Sequence, residues 1–303
     1  MTIVQAFEQF LYDRSSYCSD QTIIKYKGDC KVFFRFLTEV YQFDASSSGF
    51  DDLPEAAAPF KEFIIWLRSR SMRSVTIRSY CRTVKTFLRY CYEEDLCKDY
   101  LKKVKLPKDD SRPKMPLYQD EVARIDGTFD HNTIRGNRNY CIFHLMLDCG
   151  LRRQEVIHLQ CEHINYERNI LDIVESKGNK SRFVLVPDFL LDAISSYLKM
   201  AGHSSGAVFV SLRSDDPLSD NAVKMLFQDL KKASGIPRLH AHLLRHTFAT
   251  SYLVGGGNLE FLRVFLGHYD YTVTKNYSQM AAQLKMLGAD IYKLDPIFFT
   301  RGY

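Results

Sequence analysis

Four short stretches in the second half of the chain combine cationic, imidazole and phenol side chains, and these residue types suit the cleavage of a phosphodiester bond. Attack by an oxygen nucleophile places negative charge on the non-bridging phosphate oxygens, and guanidinium groups stabilise such charge with paired hydrogen bonds. A phenol is a weak nucleophile at neutral pH and needs a base to remove its proton. The departing oxygen in turn needs a proton donor. In chain order, the residues that supply these groups are Arg152, Lys177, His242, Arg245, His268 and Tyr277.

The order and spacing of these stretches closely resemble those of the tyrosine recombinase (phage integrase) family. A lone His-x-x-Arg would carry no information, but five elements in the family's order do. Cys149 and Gln279 depart from the pattern, in place of a common Thr and a frequent His. The matching stretches are Gly-Leu-Arg at 150–152, Ser-Lys-Gly-Asn-Lys at 176–180, His-Leu-Leu-Arg-His-Thr-Phe-Ala-Thr at 242–250, and Leu-Gly-His at 266–268 with Tyr277 nine positions later.

The resemblance assigns the nucleophile and its proton transfers. It makes Tyr277 the nucleophile, His242 the base that removes its proton, and Lys177 the acid that protonates the departing 5′ oxygen. The product would be a 3′-phosphotyrosyl bond and a free 5′-hydroxyl. The chain has eighteen tyrosines, and only the spacing from His268 favours Tyr277, so Tyr271 is the next choice.

The resemblance also assigns the groups that contact the phosphate. Arg152 and Arg245 would stabilise the charge on the transferring phosphate, and His268 would hydrogen-bond it. Glu155 resembles the acid that supports the first arginine in this family, and the alternative is an ordinary glutamate on a helix surface.

We expect no cofactor and no metal. The covalent bond conserves the energy of the phosphodiester, so neither ATP nor a metal ion is needed, and the chain has no Gly-x-x-x-x-Gly-Lys-Ser/Thr loop. The competing hypothesis is a metal cluster at His240, His242 and His246. We disfavour it because no Cys or carboxylate lies within several residues to complete the ligand set.

We expect a mainly α fold with a small β-sheet, in which an all-helical N-terminal core-binding domain precedes a mixed α/β catalytic domain. Residues 107–116 hold three prolines among charged residues and form the predicted linker, so the domains would span residues 1–106 and 117–303. Thr-Ile-Arg-Ser-Tyr at 76–80 and Phe-Leu-Arg-Tyr at 87–90 resemble the core-binding domain of the family.

Hydrophobic periodicity predicts the elements that would position the site. Two apolar, β-branched runs at 170–174 and 182–186 predict a hairpin around the turn that carries Lys177. In the first half, helices are expected at 3–13, 20–40, 55–70 and 74–92, with a short fifth at 96–104. In the second half, they are expected at 119–129, 139–149, 153–159, 187–200, 219–233, 243–254 and 258–266.

The net charge of +5 is modest, but the positive charge is concentrated. Residues 61–108 contain thirteen Lys or Arg and five Asp or Glu, a local excess of +8 (13 − 5), so the rest of the chain sums to −3 (5 − 8). On the helix expected at 74–92, four cations share a flank without any carboxylate, away from the apolar stripe. Because a solvated face normally mixes both signs, this flank predicts contact with a DNA phosphate backbone. The four residues are Arg78, Arg82, Lys85 and Arg89.

The tail at 281–303 carries more apolar side chains than a solvated terminus would. Leu284, Leu287 and Ile291 recur at helical spacing, so we expect an amphipathic helix that ends before Pro296. The family resemblance implies that this tail docks into a neighbouring subunit and links a homotetramer on two DNA sites. The alternative is that the tail packs on its own catalytic domain.

The resemblance implies a site-specific recombinase that cuts and rejoins double-stranded DNA through a Holliday junction. We favour the integrase or transposase of a mobile element, of the short type without an arm-binding domain. The alternatives are a recombinase that resolves chromosome or plasmid dimers, a type IB topoisomerase, and a catalytically silent DNA-binding regulator. The sequence shows no membrane span, signal peptide or Cys-x-x-Cys pair, so we expect a cytoplasmic, nucleoid-associated protein with free thiols.

Overall fold

The structure, a computed structural model, describes residues 1–108, 114–174, 181–214, 216–267 and 271–300, with the backbone alone at 271–276 and 300. The chain divides into two compact units, Met1–Arg112 and Pro113–Tyr303. Each unit has its own hydrophobic core. The described residues are mostly helical with one three-stranded antiparallel sheet, which confirms the predicted fold class. None of the helices in these ranges is long and apolar enough to cross a membrane.

The first unit is helical, and its core is rich in phenylalanine. The fifth helix predicted at 96–104 is wrong: these residues form turns. Asp95 and Lys103 adopt left-handed φ angles of 57° and 59°, which an α-helix does not accommodate. The helices are α1 (Ile3–Ser15), α2 (Asp20–Tyr41), α3 (Pro59–Ser69) and α4 (Ser74–Glu93).

The second unit contains the remaining elements. The helix predicted from residue 139 begins earlier, at Ile134, because the Thr133 side chain accepts a hydrogen bond from the Gly136 N–H and caps it there. The helices are α5 (Gln119–Asp126), α6 (Ile134–Leu147), α7 (Arg153–Ile157), α8 (Asp188–Ala201), α9 (Asp220–Ser234), α10 (Ala241–Val254), α11 (Leu259–Leu266), α12 (Tyr271–Met286) and α13 (Ile297–Thr300). The strands are β1 (Ile164–Asn165), β2 (Ile170–Val174) and β3 (Ser181–Leu185), in the order β1-β2-β3.

Strands β2 and β3 form the predicted hairpin. Leu171 lies opposite Val184, and both are buried. Because side chains alternate along a strand, Arg182 shares the inward face of β3 with Val184. The turn at 175–180 lies outside the described residues.

Helix α10 packs against both α6 and α12 and passes through the core of the second unit. Leu244, Phe248 and Ala249 are buried on it. Polar side chains on this helix are therefore held by a well-packed interior, which suits a site that needs fixed geometry.

Helix α12 ends earlier than the tail pattern predicts. Gly288 adopts a left-handed φ of 58°, which terminates the helix. Ile291 then pairs with Tyr118 in an antiparallel bridge. The predicted helix is therefore wrong for the residues between the end of α12 and Ile291. Leu284 and Ile291 are buried, whereas Leu287 is exposed.

The rest of the described tail packs on its own unit. Leu294 and Phe298 are buried in the core, and the Phe298 ring lies edge-on to Phe248 at 5.4 Å. Phe299 stacks on Tyr252 with ring centroids 5.7 Å apart. The described part of the tail therefore packs on its own unit, which is the alternative given in the sequence analysis.

Candidate active site

Arg152 and Glu155 are joined at the start of α7. The Arg152 backbone N–H donates to Glu155 Oε2 at 2.6 Å, and Arg152 Nη1 donates to Oε1 at 2.8 Å. Arg152 Nη2 also donates to the Gly267 carbonyl at 2.8 Å. The Glu155 side chain is only 8% exposed, so the alternative of an ordinary surface glutamate is wrong.

Arg245 is buried on α10, which is rare for an arginine. Its Nη1 donates to the Gly150 carbonyl at 2.7 Å and its Nη2 to the Leu266 carbonyl. Burial and the nearby charge of Arg152 lower the pKa of Arg245 to about 9, so the guanidinium stays charged at neutral pH. Since Arg152 and Arg245 bind the adjacent carbonyls of Gly267 and Leu266, the structure brings these two predicted residues together.

Gly150 makes the turn between α6 and Arg152 possible. Its φ of 61° is left-handed, and a Cβ at this position would lie 2.7 Å from the Phe248 ring. A side chain here would strain the backbone and clash with the core. The left-handed backbone and the close approach of the Phe248 ring thus explain why the Gly-Leu-Arg stretch begins with a glycine.

His242 lies in the first turn of α10, three residues before Arg245, so the two side chains project from the same helix face. Partial burial lowers the pKa of His242, and the charges of Arg245 and Lys114 lower it further. A neutral imidazole can accept a proton, and this state fits the predicted base.

Tyr277 is part of the hydrophobic core, with 5% of its surface exposed. Its ring lies 5.3 Å from the His246 ring at an angle of 41°. Burial raises the pKa of the Tyr277 phenol, and the charge of Arg245 counteracts this rise. His246 in turn contacts the first residues of the second unit, because its Nε2 lies 2.5 Å from the Lys114 carbonyl oxygen.

Two of the predicted site residues, Lys177 and His268, lie outside the described residues. For Tyr271, the alternative nucleophile, the structure describes the backbone alone. Of the six predicted residues, the structure thus describes Arg152, His242, Arg245 and Tyr277.

Arg182 contacts the site and was missed by the sequence reasoning. Its Nη1 and Nη2 donate to the two carboxylate oxygens of Glu155 at 2.9 and 2.8 Å. The available signal was weak: an arginine in a strand whose neighbours on the same face, such as Val184, are apolar. Nothing in the spacing connects it to Glu155.

Two of the three histidines of the competing metal hypothesis have other partners. His240 Nδ1 lies 2.6 Å from the Arg238 carbonyl oxygen, and His246 Nε2 contacts Lys114. Across the described ranges, no group of three or more His, Cys, Asp or Glu side chains is arranged to hold a metal ion.

The apolar stripe of α4 is buried as predicted, and the basic flank is not part of the core. Arg82 and Arg89 are exposed, and Lys85 is half-buried. Arg78 differs, because its Nη1 donates to the Pro107 carbonyl at 2.7 Å. Within residues 1–108, none of the four cations forms an ion pair with a carboxylate.

Comparisons with known proteins find a matching family model and similar sequences. A family model described as the phage integrase family matches residues 116–283. The tyrosine recombinase XerC of Bacillus pumilus (strain SAFR-032) is 28% identical over 292 residues, which cover 92% of each chain.

Solved structures share the fold of this chain. A lambda integrase dimer bound to a COC' core site superimposes with a TM-score of 0.73 at 17% identity, over 92% of this chain and 95% of that one. The Tn1549 transposon integrase in complex with a circular intermediate DNA gives a TM-score of 0.72 at 16% identity, over 94% and 99% of the two chains.

Proposed function

Because the chain belongs to the phage integrase family of tyrosine recombinases, we propose that it cuts and rejoins double-stranded DNA with Tyr277 as the nucleophile. The observation that carries this proposal is the pair of charged arginines, Arg152 and Arg245, bound to adjacent carbonyls in the same unit as a buried tyrosine. Two guanidinium groups in fixed positions match the charge that develops on a transferring phosphate.

The proposed cleavage is an in-line transfer of the phosphate. The Tyr277 oxygen attacks phosphorus, its proton passes to neutral His242, and the bond from phosphorus to the 5′ oxygen breaks. The departing 5′ oxygen takes a proton, for which the family resemblance supplies Lys177. His268 would hydrogen-bond the phosphate, again by resemblance. Rejoining reverses these steps on a new 5′-hydroxyl, so no external energy source is required.

DNA is the proposed partner. The two structural neighbours are described as bound to a core site and to a circular intermediate DNA. In this chain, the flank of α4 offers Arg82, Lys85 and Arg89 without carboxylate partners among residues 1–108. Such unpaired cations repel one another unless a polyanion neutralises them.

For the biological role, we propose the integration or transposition of a mobile element. A transposon integrase shares the fold over nearly the whole chain, which supports this role. Resolution of chromosome or plasmid dimers is the second candidate, because the sequence relatives are named recombinases rather than integrases. The two candidates differ in their DNA: a mobile element moves between sites, whereas a dimer is resolved at one fixed site.

Assembly as a homotetramer through the C-terminal tail belongs to the same proposal. In the single chain, Leu294 and Phe298 occupy the chain's own core. The same seat in a neighbouring subunit has the same shape, so exchange of tails between subunits would preserve every contact while linking the active sites in a ring.

The decisive experiment is to sequence the DNA that is covalently joined to the protein in cells, after denaturing purification of the adduct. We expect ends that share one sequence, joined to Tyr277 through a 3′ phosphate, with activity unchanged by EDTA. Absence of any adduct would identify a silent regulator. Dispersed ends together with relaxation of supercoiled plasmid by the monomer would identify a topoisomerase. A strict metal requirement would contradict the metal-free mechanism.

A further inference from the structure

The C-terminal end of α11 gathers three arginines. The last carbonyls of a helix lack partners within the helix, and this end of the helix dipole is negative, so cations are stabilised there. Here three consecutive carbonyls each accept a hydrogen bond from a different arginine. The pairs are Arg182 Nε with Phe265 O at 2.8 Å, Arg245 Nη2 with Leu266 O, and Arg152 Nη2 with Gly267 O at 2.8 Å.

Glu155 joins two of these arginines from the opposite side. Arg182 binds both of its oxygens in a planar, bidentate pair, and Arg152 Nη1 binds Oε1 as well. Both partners of the Arg182–Glu155 pair are largely shielded from solvent, with side chains 11% and 8% exposed. Burial would raise the pKa of Glu155, but the hydrogen bonds and charge of Arg182 hold it below its usual value, so the carboxylate is ionised.

We propose that Arg182 is a positioning residue for strand cleavage, which rests on the proposed function. Its Nε and both Nη atoms are engaged within the protein, so it acts through Arg152 and does not bind the phosphate itself. It fixes Glu155 against the end of α11, and Glu155 in turn sets the orientation of the Arg152 guanidinium.

Arg182 also offsets the negative charge of Glu155 beside Arg152. A carboxylate paired with Arg152 alone would neutralise the positive charge that the phosphate needs. With Arg182 sharing Glu155, the group of Arg152, Arg182, Arg245 and one carboxylate keeps a net charge of +2 (3 − 1) next to the proposed phosphate position.

The test compares Arg182→Lys and Arg182→Gln with the wild type, using DNA that carries the cleavage site. Lys keeps the charge but cannot form the bidentate pair, and Gln removes the charge. We expect DNA affinity within about twofold of wild type, whereas the single-turnover rate of adduct formation falls about 10- to 100-fold, since small misplacements of a catalytic group have effects of this size. The matched control is Arg263→Lys on α11, the helix whose C-terminal end Arg182 contacts; this arginine pairs with Glu260 at the surface.

A second substrate separates positioning from a merely structural role. A methylphosphonate at the cleaved position lacks the charged non-bridging oxygen, so there is less charge for Arg152 to stabilise. We expect the ratio of wild-type to variant rates to fall to below about threefold on this substrate. Glu155→Gln disrupts the Arg182–Glu155 pair by changing the carboxylate instead of the arginine, and it should show the same dependence on substrate. This variant keeps the inference testable if an Arg182 variant fails to fold.

The outcomes are distinct. Wild-type rates for Arg182→Lys on the phosphodiester would overturn the inference, and so would an equal loss on both substrates. If the wild type itself forms no adduct with any DNA, the proposed function fails and the inference fails with it.

Discussion

Tyr277 and its neighbours show how a single residue belongs to both the core and the proposed chemistry. The phenol is buried among apolar side chains, and burial raises its pKa. His242, by contrast, has a lowered pKa and is neutral. The proton therefore rests on the phenol, and in the proposed mechanism its transfer to His242 accompanies attack on the phosphate.

We predict that Tyr277→Phe binds DNA like the wild type but forms no SDS-resistant adduct. The substitution keeps the ring that packs on His246 and removes only the oxygen, so the free energy of unfolding should change little. Denaturing gel electrophoresis of protein incubated with labelled DNA measures the adduct. An adduct formed by the Phe variant would show that another tyrosine is the nucleophile, with Tyr271 the next to replace.

His144, elsewhere in the same unit, predicts a pH dependence of stability. Its Nδ1 lies 2.7 Å from Asp148 and its Nε2 lies 2.9 Å from Asp126. Burial alone would lower the pKa of His144, but these two carboxylates outweigh it and raise the pKa to about 9. Because the pKa is higher in the folded chain, the stabilisation is complete below about pH 6.5 and is lost as the pH rises through about 9.

We therefore expect the difference in free energy of unfolding between wild type and His144→Gln to shrink by roughly 3 kcal/mol between pH 6.5 and 9.5. Urea unfolding at several pH values measures it. Comparison with the variant removes the contribution of other groups that titrate in this range. A difference that stays constant with pH would show that His144 is not charged in the folded chain.

At the scale of elements, α4 presents the proposed DNA contact. We predict that replacing Arg82, Lys85 and Arg89 together with Ala weakens DNA binding and lowers the slope of log K against log salt. Each lost phosphate contact should reduce the slope by about 0.9, which gives about 2.7 in total. Arg78 is left in place because it bonds the Pro107 carbonyl.

The matched control replaces three exposed lysines of α2 and α3, which changes the net charge equally. Binding that depends on total charge alone would fall to the same extent in both variants and would contradict a specific role for α4. Thermal unfolding should be near wild type in both, since no buried side chain is altered. The control residues are Lys27, Lys31 and Lys61.

The sequence predicted those elements whose signal is local. The apolar stripe of α4 and the hairpin of β2 and β3 follow from periodicity within about twenty residues. Periodicity does not report left-handed backbone, so the helix at 96–104 and the continuation past Gly288 were predicted wrongly. Arg182 was missed because its partners, Glu155 and Phe265, lie 27 and 83 residues away in the chain.

At the scale of the whole molecule, the tail has the proposed role of linking one chain to the next. Its aromatic end rests on Gly255, where a Cβ would lie 2.5 Å from the Phe299 ring. A side chain at this position therefore blocks the seat for the tail while leaving the tail itself intact.

We predict that two chains with different defects pair with each other if tails dock between subunits. One chain carries Gly255→Val with its own tail, and the other ends at Asp295 with the seat intact. Each alone should bind a single DNA site but form no dimer linked by the tail. The mixture should form this dimer, because the tail of the Gly255→Val chain can dock in the seat of the truncated chain; native gel or light scattering measures it. Gly28→Val, at a glycine with open space around it, is the control. A mixture that forms no such dimer would show that the tail acts only within its own chain.

With Tyr277 as the proposed nucleophile, its burial would keep the resting protein inactive. Bringing a buried aromatic side chain of this size into contact with solvent costs about 2 kcal/mol, which is a factor of about 30 in population. On unrelated DNA, the Tyr277 phenol would therefore be exposed only a small fraction of the time. A DNA site would expose it when the binding free energy of that site exceeds the cost of exposure. The packing of the Tyr277 ring would then contribute to the selectivity of cleavage in addition to any contacts with the DNA bases.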